Sequence, residues 1–262
     1  MKPAERNPYD PQFYEGQSQD SRRSADIVAP IIVELLRPQS VVDVGCGVGT
    51  WLSAFGELGV PIVLGLDGAY AKVGGLQIPE ECFVACDLRE PVRLERTFDL
   101  AISLEVAEHL PAACAEGFVN SLVRLAPAVL FSAAIPQQGG TGHVNERWQS
   151  FWATLFSVRG YVPVDCVRPR VWDDPRVSMW YAQNTMLYVD AKRLTLAAEL
   201  AADNLPLDLV HPRLFEMHMT RAQRDAPRIV RYATRLNAAL HGIRDGLPQR
   251  RLGRASGLHR EA

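Results

Sequence analysis

The stretch Val41-Val-Asp43-Val-Gly45-Cys46-Gly47-Val-Gly49-Thr-Trp51 constrains this chain more than any other. A short β-branched run passes directly into a turn with glycine at every second position, and a helical apolar pattern follows. Glycine adopts positive φ with no Cβ penalty, so such a turn bends tightly and lets a ligand approach its backbone. Strand, glycine turn and helix in this order open a parallel α/β sheet, whose ligands lie beyond the carboxyl ends of the strands.

The same alternation continues to residue 190. Strand-length apolar runs occur at 41–45, 62–67, 83–88, 99–106, 128–136, 161–167 and 184–190. Amphipathic stretches at 24–36, 51–58, 116–126 and 146–158 lie between them, the first opened by Ser24 as cap and the last closed by Gly160. The connection between the last two strands is too short for a clear crossover helix, so the sheet should end antiparallel. The expected fold is Rossmann-like α/β: seven strands, mostly parallel with an antiparallel last strand, helices on both faces and extra C-terminal helices. Residues 1–23 read as an N-terminal lid, 24–190 as the ligand-binding domain, 191–245 as a helical extension and 246–262 as a disordered basic tail.

Length and composition set limits. At 262 residues the chain suits one large domain with an appendage. The five cysteines, Cys46, Cys82, Cys86, Cys114 and Cys166, are odd in number and lie in apolar runs, which points to reduced thiols in a cytoplasmic protein. Cys82 and Cys86 lack a second Cys or His pair, which argues against zinc. The first residues carry no apolar leader, and no run is long enough to span a membrane. Residues 221–262 hold ten arginines against Asp225, Asp245 and Glu261, so the tail carries +7 and the rest −9.

Three acids sharpen the ligand. Asp67 ends the second strand about 20 residues after the glycines, where a carboxylate accepts bonds from both ribose hydroxyls of a nucleoside. Asp87 ends the third strand, within reach of an adenine amino group, and Glu105 closes the fourth, facing the crevice. Each alone is equally a strand-end acid. A nicotinamide enzyme would prefer G-x-G-x-x-G and a pyrophosphate site, which these acid-rich loops do not offer.

VVDVGCGVGTW, LGLDG, ACDL and FDLAISLEVAEHLP together resemble the successive motifs of class I S-adenosylmethionine-dependent methyltransferases, over roughly residues 24–190. The resemblance implies that Gly45, Cys46 and Gly47 lie against the methionine part of S-adenosyl-L-methionine, with Asp43 and Gly49 completing the turn. Asp67 and Gly68 would hold the ribose, Asp87 and Leu88 would flank adenine, and Leu104 and Glu105 would close the crevice.

Methyl transfer from a sulfonium is an in-line displacement, so positioning in a dry pocket is the main requirement. A hydroxyl acceptor also needs a base. His143, in the glycine-rich loop QQGGTGHVNERW, is the first candidate and His109 the second. Trp172, Asp173, Trp180, Tyr181 and Asn184 are expected to shape the acceptor site, with Asp174 and Gln183 beside them. GTGHVNERWQSFW and RPRVWDDPRVSMWYAQN resemble methyltransferases of bacterial glycan and glycosylated-metabolite pathways, implying O-methylation of a sugar-like small molecule. An N- or C-methyltransferase, or a cofactor-binding scaffold, are the alternatives. His143, Glu146, Asp173 and Asp174 are the candidate Mg²⁺ ligands, although no metal is assigned.

Tyr9, Phe13 and Tyr14 either pack against the sheet edge or fold over the cofactor as a lid, in which case Arg22 or Arg23 would reach its carboxylate. In the tail, Arg221, Arg224, Arg228, Arg231 and Arg235 share one helical face, which would suit an anionic partner. Nucleic acid is not expected, because the rest of the chain is acidic and has no stacking pattern.

Overall fold

The computed structural model describes residues 11–193, 206–222 and 224. The chain divides into two compact units, Met1–Leu214 and Phe215–Ala262. All elements named below belong to the first.

Seven strands form one sheet: β1 Ser40–Val44, β2 Ile62–Asp67, β3 Phe83–Ala85, β4 Leu100–Leu104, β5 Ala128–Ser132, β6 Tyr161–Val164 and β7 Met186–Asp190. Their spatial order is β3-β2-β1-β4-β5-β7-β6. The first five run parallel, while β7 is antiparallel to both β5 and β6. This is the Rossmann-like arrangement expected from the sequence. Chain order reverses between β1 and β4, which opens a crevice at their carboxyl ends.

The strands are apolar on both sides because both faces are covered. Val41, Leu100, Ile102, Leu130 and Leu187 point into one buried cluster. Their neighbours Val42, Ala101, Val129, Phe131 and Tyr188 point into the other. Helices α1 Pro11–Leu36 and α2 Thr50–Glu57 cover the first face. Helices α3 Ala115–Leu125 and α4 Gln149–Ser157 cover the second, where Phe156 stacks on Tyr188 with ring centres 3.9 Å apart.

Several boundaries differ from expectation. β3, β4 and β5 end before Asp87, Glu105 and Pro136, since the residues at the strand tips leave the ladder to form the crevice. The β6–β7 connection holds two short helices, α5 Arg168–Val171 and α6 Met179–Asn184. Helix α1 starts at Pro11, well before Ser24. Ser24 is therefore no cap: fully buried, it donates to the Asp20 carbonyl and accepts from the Ser178 amide at 3.1 Å.

The first unit also extends past residue 190. Arg168, buried and paired with Asp165 at 2.7 Å, donates to the carbonyls of Leu207 at 2.7 Å and Pro206 at 3.0 Å. Asp208 accepts from the Ser150 amide, and His211 contacts the Trp172 carbonyl at 2.7 Å. The expected helix after Asp190 and the Arg-rich helix at 228–243 lie almost entirely outside the described residues, as does the tail from 246. Among the described residues no helix is long and apolar enough to cross a membrane.

Candidate functional site

A cavity of about 730 Å³ opens at the carboxyl end of the sheet, between the tips of β1, β2, β3 and β4. Gly45, Gly47, Asp67, Gly68, Asp87, Leu88 and Glu105 line it. A second hollow of about 80 Å³ shares Gly45, Gly47 and Glu105 with it and adds Cys46, Leu104, Thr50, Trp51 and Tyr181. Nine of the eleven cofactor candidates thus border one continuous recess. Asp43 is 3% exposed and shares its surroundings with Asp67; burial, then that neighbouring charge, pushes its carboxyl well above the usual range. Gly49 sits at the start of α2 with φ 86° against Ile78.

The glycine turn is pinned to β2. The amides of Gly45 and Cys46 both donate to the Leu66 carbonyl, at 2.7 and 3.2 Å. Gly45 has φ 94°, and a Cβ there would lie 2.4 Å from Val106 Cγ2. A Cβ at Gly47 would meet nothing within 4 Å, so that backbone faces open space where a ligand can lie against it.

Asp67 is 5% exposed at the tip of β2. Its carboxylate accepts from the amides of Gly47 at 2.7 Å and Gly68 at 2.6 Å, and from the Tyr70 hydroxyl at 2.7 Å. The two amides fix the carboxylate at the cavity wall, the disposition needed to receive a vicinal diol. Asp87 stands at the lip, paired through both oxygens with Arg89, whose guanidinium holds its pKa down to about 2. Leu88 and Val106 supply flat apolar surface. Acid for a diol, apolar walls for a base and an open glycine backbone together fit an adenosyl ligand.

Glu105 has φ 55°, a left-handed conformation for a residue that pays about 1–2 kcal/mol for it. Its amide donates to the Ser132 carbonyl and hydroxyl, both at 3.0 Å, which holds the kink. Its carboxylate accepts from Asn184 at 3.1 Å and Gln138 at 2.9 Å. Burial nevertheless raises its pKa against these bonds.

Beside Glu105, Glu108 is fully buried, and neither carboxylate oxygen has a hydrogen-bond partner. Burial and then the Glu105 charge push its carboxyl well up. His109 lines the cavity, its Nδ1 buried and unpartnered, and burial followed by proximity to His143 drives its pKa to about 4. The His143 ring meets His109 edge-on with centroids 4.8 Å apart, and its Nδ1 lies 2.9 Å from Glu146. Glu146 is held by the amides of Gln137 and Gly139 at 2.7 and 2.9 Å. The amides of Val144 and Asn145 donate to the Glu108 carbonyl, which carries the 137–146 loop to the strand tip.

The expected acceptor residues are dispersed. Asn184 is buried and orients Glu105, while Tyr181 borders the small hollow, donating to or accepting from Ser21 at 3.0 Å. Trp172 packs on His211 and Trp180 against the core; neither borders the two hollows. Asp173 is exposed and Asp174 is paired with Arg176, so the expected Mg²⁺ set does not assemble: among the described residues the candidate metal-holding group is Glu108, His109 and His143. Arg22 pairs with Asp26 and Glu57 and Arg23 with Asp20, and neither arginine lines the two hollows. Phe13 and Tyr14 fall within α1, and Tyr9 lies outside the described residues. Sequence reasoning missed Tyr70, Gln138 and Ser21, which no motif marks.

Residues 17–155 match the family model of a methyltransferase domain. No curated protein matches by sequence. Streptomyces venezuelae DesVI is similar in structure, with 16% identity over 69% of this chain and 96% of that one and a TM-score of 0.52. A sugar N-methyltransferase, KedS8 from a Streptoalloteichus species, aligns with 16% identity over 68% of this chain and 91% of that one, TM-score 0.52. Magnesium protoporphyrin IX methyltransferase from Synechocystis, with bound SAH, shares 19% identity over 67% of this chain and 87% of that one, TM-score 0.49.

Proposed function

Since the chain belongs to the methyltransferase domain family and is an S-adenosylmethionine-dependent methyltransferase, we propose that it methylates a hydroxyl of a sugar-like small molecule. The observation that carries this reading is the edge-on pair of imidazoles, His109 on the cavity wall and His143 braced by Glu146. An amine acceptor loses its proton readily once alkylated, whereas a hydroxyl benefits from a base at the moment of attack.

When bound, S-adenosylmethionine supplies an activated methyl group and a good leaving group. The chain supplies the rest. Asp67 takes the ribose diol, Leu88 and Asp87 flank adenine, and the turn at Gly45–Gly47 lies along the methionine part, with Leu104 and Glu105 closing that end. His109, neutral through physiological pH, helps to keep the inner wall dry. His143 accepts the acceptor's proton at Nε2, while Glu146 holds Nδ1 and steadies the imidazolium that forms. KedS8 is described as a sugar N-methyltransferase, which supports a sugar-like acceptor and leaves nitrogen as the alternative methylated atom.

A transfer screen over hydroxylated sugars, nucleotide sugars and glycosylated metabolites tests this reading, with the new methyl located by mass spectrometry and NMR. An O-methyl product is expected. Products methylated only at nitrogen or carbon would overturn it.

A further inference from the structure

We propose that Glu108, His109 and His143 form a site for one divalent transition-metal ion of the zinc class, set in the inner wall of the cofactor cavity. Each residue offers one ligand atom, and these atoms lie within 4.8 Å of one another. A tetrahedral ion with bonds of about 2.0–2.2 Å holds its ligands roughly 3.3–3.6 Å apart, so the three side chains draw together by up to about 1.4 Å around it and leave the fourth position open.

Buried polar atoms with no hydrogen-bond partner of good geometry offer an ion its ligands. Glu108 is 0% exposed with both oxygens unpartnered, and the nearby Nδ1 of His109 is buried and unpartnered too. A buried carboxylate without a donor is costly, and such groups are normally paired or coordinated. A proton would satisfy one Glu108 oxygen and leave the imidazole nitrogen bare. A cation serves both residues together.

The surroundings match metal chemistry. His143 already has its Nδ1 against a carboxylate, Glu146 at 2.9 Å, the support that fixes the tautomer and orientation of metal-bound histidine. Two nitrogens and one oxygen favour zinc or cobalt over magnesium. His109 borders the cavity, so an ion held there would lie beside the space open to the acceptor.

Only the role of the ion, not its binding, rests on the hydroxyl-methylation reading. An acceptor oxygen bound there loses its proton more easily. The proton passes to solvent, the O–C bond forms as the C–S bond breaks, and no redox change occurs. In the ion-loaded enzyme the His143 lone pair holds the ion, so acidification by coordination replaces proton capture.

The test uses the full chain after chelator treatment, with neither S-adenosylmethionine nor acceptor present. Zn²⁺ is followed by calorimetry and Co²⁺ by its visible absorption. One equivalent of each should bind saturably, Glu108→Gln and His143→Ala should each weaken binding about 100-fold, and Glu146→Gln should weaken it about 10-fold. Absence of saturable binding, or variants that bind like the parent, would overturn the site. Should Glu108→Gln fail to fold, His143→Ala on the more exposed loop decides alone. Because ion stoichiometry is read without acceptor, it can fail while O-methylation stands, and the converse.

Discussion

Replacing Asp67 with alanine is the sharpest probe of the cofactor site. The carboxylate is 5% exposed and already accepts from the Gly47 and Gly68 amides. Bound nucleoside would add two ribose hydroxyls, each a hydrogen bond to a charged acceptor contributing about 1.5–3 kcal/mol. Water can re-enter the space vacated by the carboxylate and recover part of this, so the low end, about 3 kcal/mol in all, is expected. At 1.4 kcal/mol per decade, affinity for S-adenosylhomocysteine should fall about 150-fold by calorimetry. The loss is one of ground-state binding, so KM for S-adenosylmethionine should rise with kcat little changed. The same substitution strands two amides at the cavity floor, which should cost roughly 1–2 kcal/mol and lower the melting temperature by several degrees. Asp67→Asn, keeping one acceptor oxygen, should fall between. An alanine variant that melts cooperatively and binds within threefold of the parent would refute the ribose assignment.

Further expectations follow from other residues. His143→Ala should slow O-methyl transfer about 100-fold or more while S-adenosylhomocysteine still binds; unchanged turnover would remove it as base. Gly45→Ala should abolish tight cofactor binding, because φ 94° is strained for alanine and its Cβ would lie 2.4 Å from Val106; adding Val106→Ala should recover part of the loss, and no recovery would show that the clash is irrelevant. For His109 the folded pKa is depressed from 6.5 to about 4, so between these values the unfolded chain binds more protons. Stability from this group is therefore complete above pH 6.5 and drains away as pH falls towards 4. Melting curves at pH 7.5 and 5 should show a smaller drop for His109→Asn than for the parent, and an equal drop would contradict the burial argument.

The sheet and its cofactor edge were legible because period-two strands buried on both faces leave continuous apolar runs, and because Asp67, Asp87 and Glu105 interrupt those runs where the ladder stops. The first ten or so residues of α1 were not, since PQFYEGQSQD carries little apolar rhythm and Ser24 looks like a cap. The convergence of His109 with His143 was invisible for a different reason. Backbone bonds from Val144 and Asn145 to the Glu108 carbonyl bring the two loops together, and no side-chain pattern records them. Trp172 and Trp180 misled because an aromatic near a strand end reads the same whether it faces a ligand, His211 or the core.

The Arg168 anchor decides where this protein can be cut. A shortened chain ending at residue 190, the last strand, would keep every part of the sheet yet lose the two carbonyls of Pro206 and Leu207 that the enclosed guanidinium grips. Asp165 would stay paired with it, but each lost hydrogen bond to the charge costs up to about 1.5–3 kcal/mol, a large share of what holds a domain of this size together. The smallest autonomous piece therefore has to run on to about Leu214, and the returning strap belongs to the foldable unit as firmly as any strand.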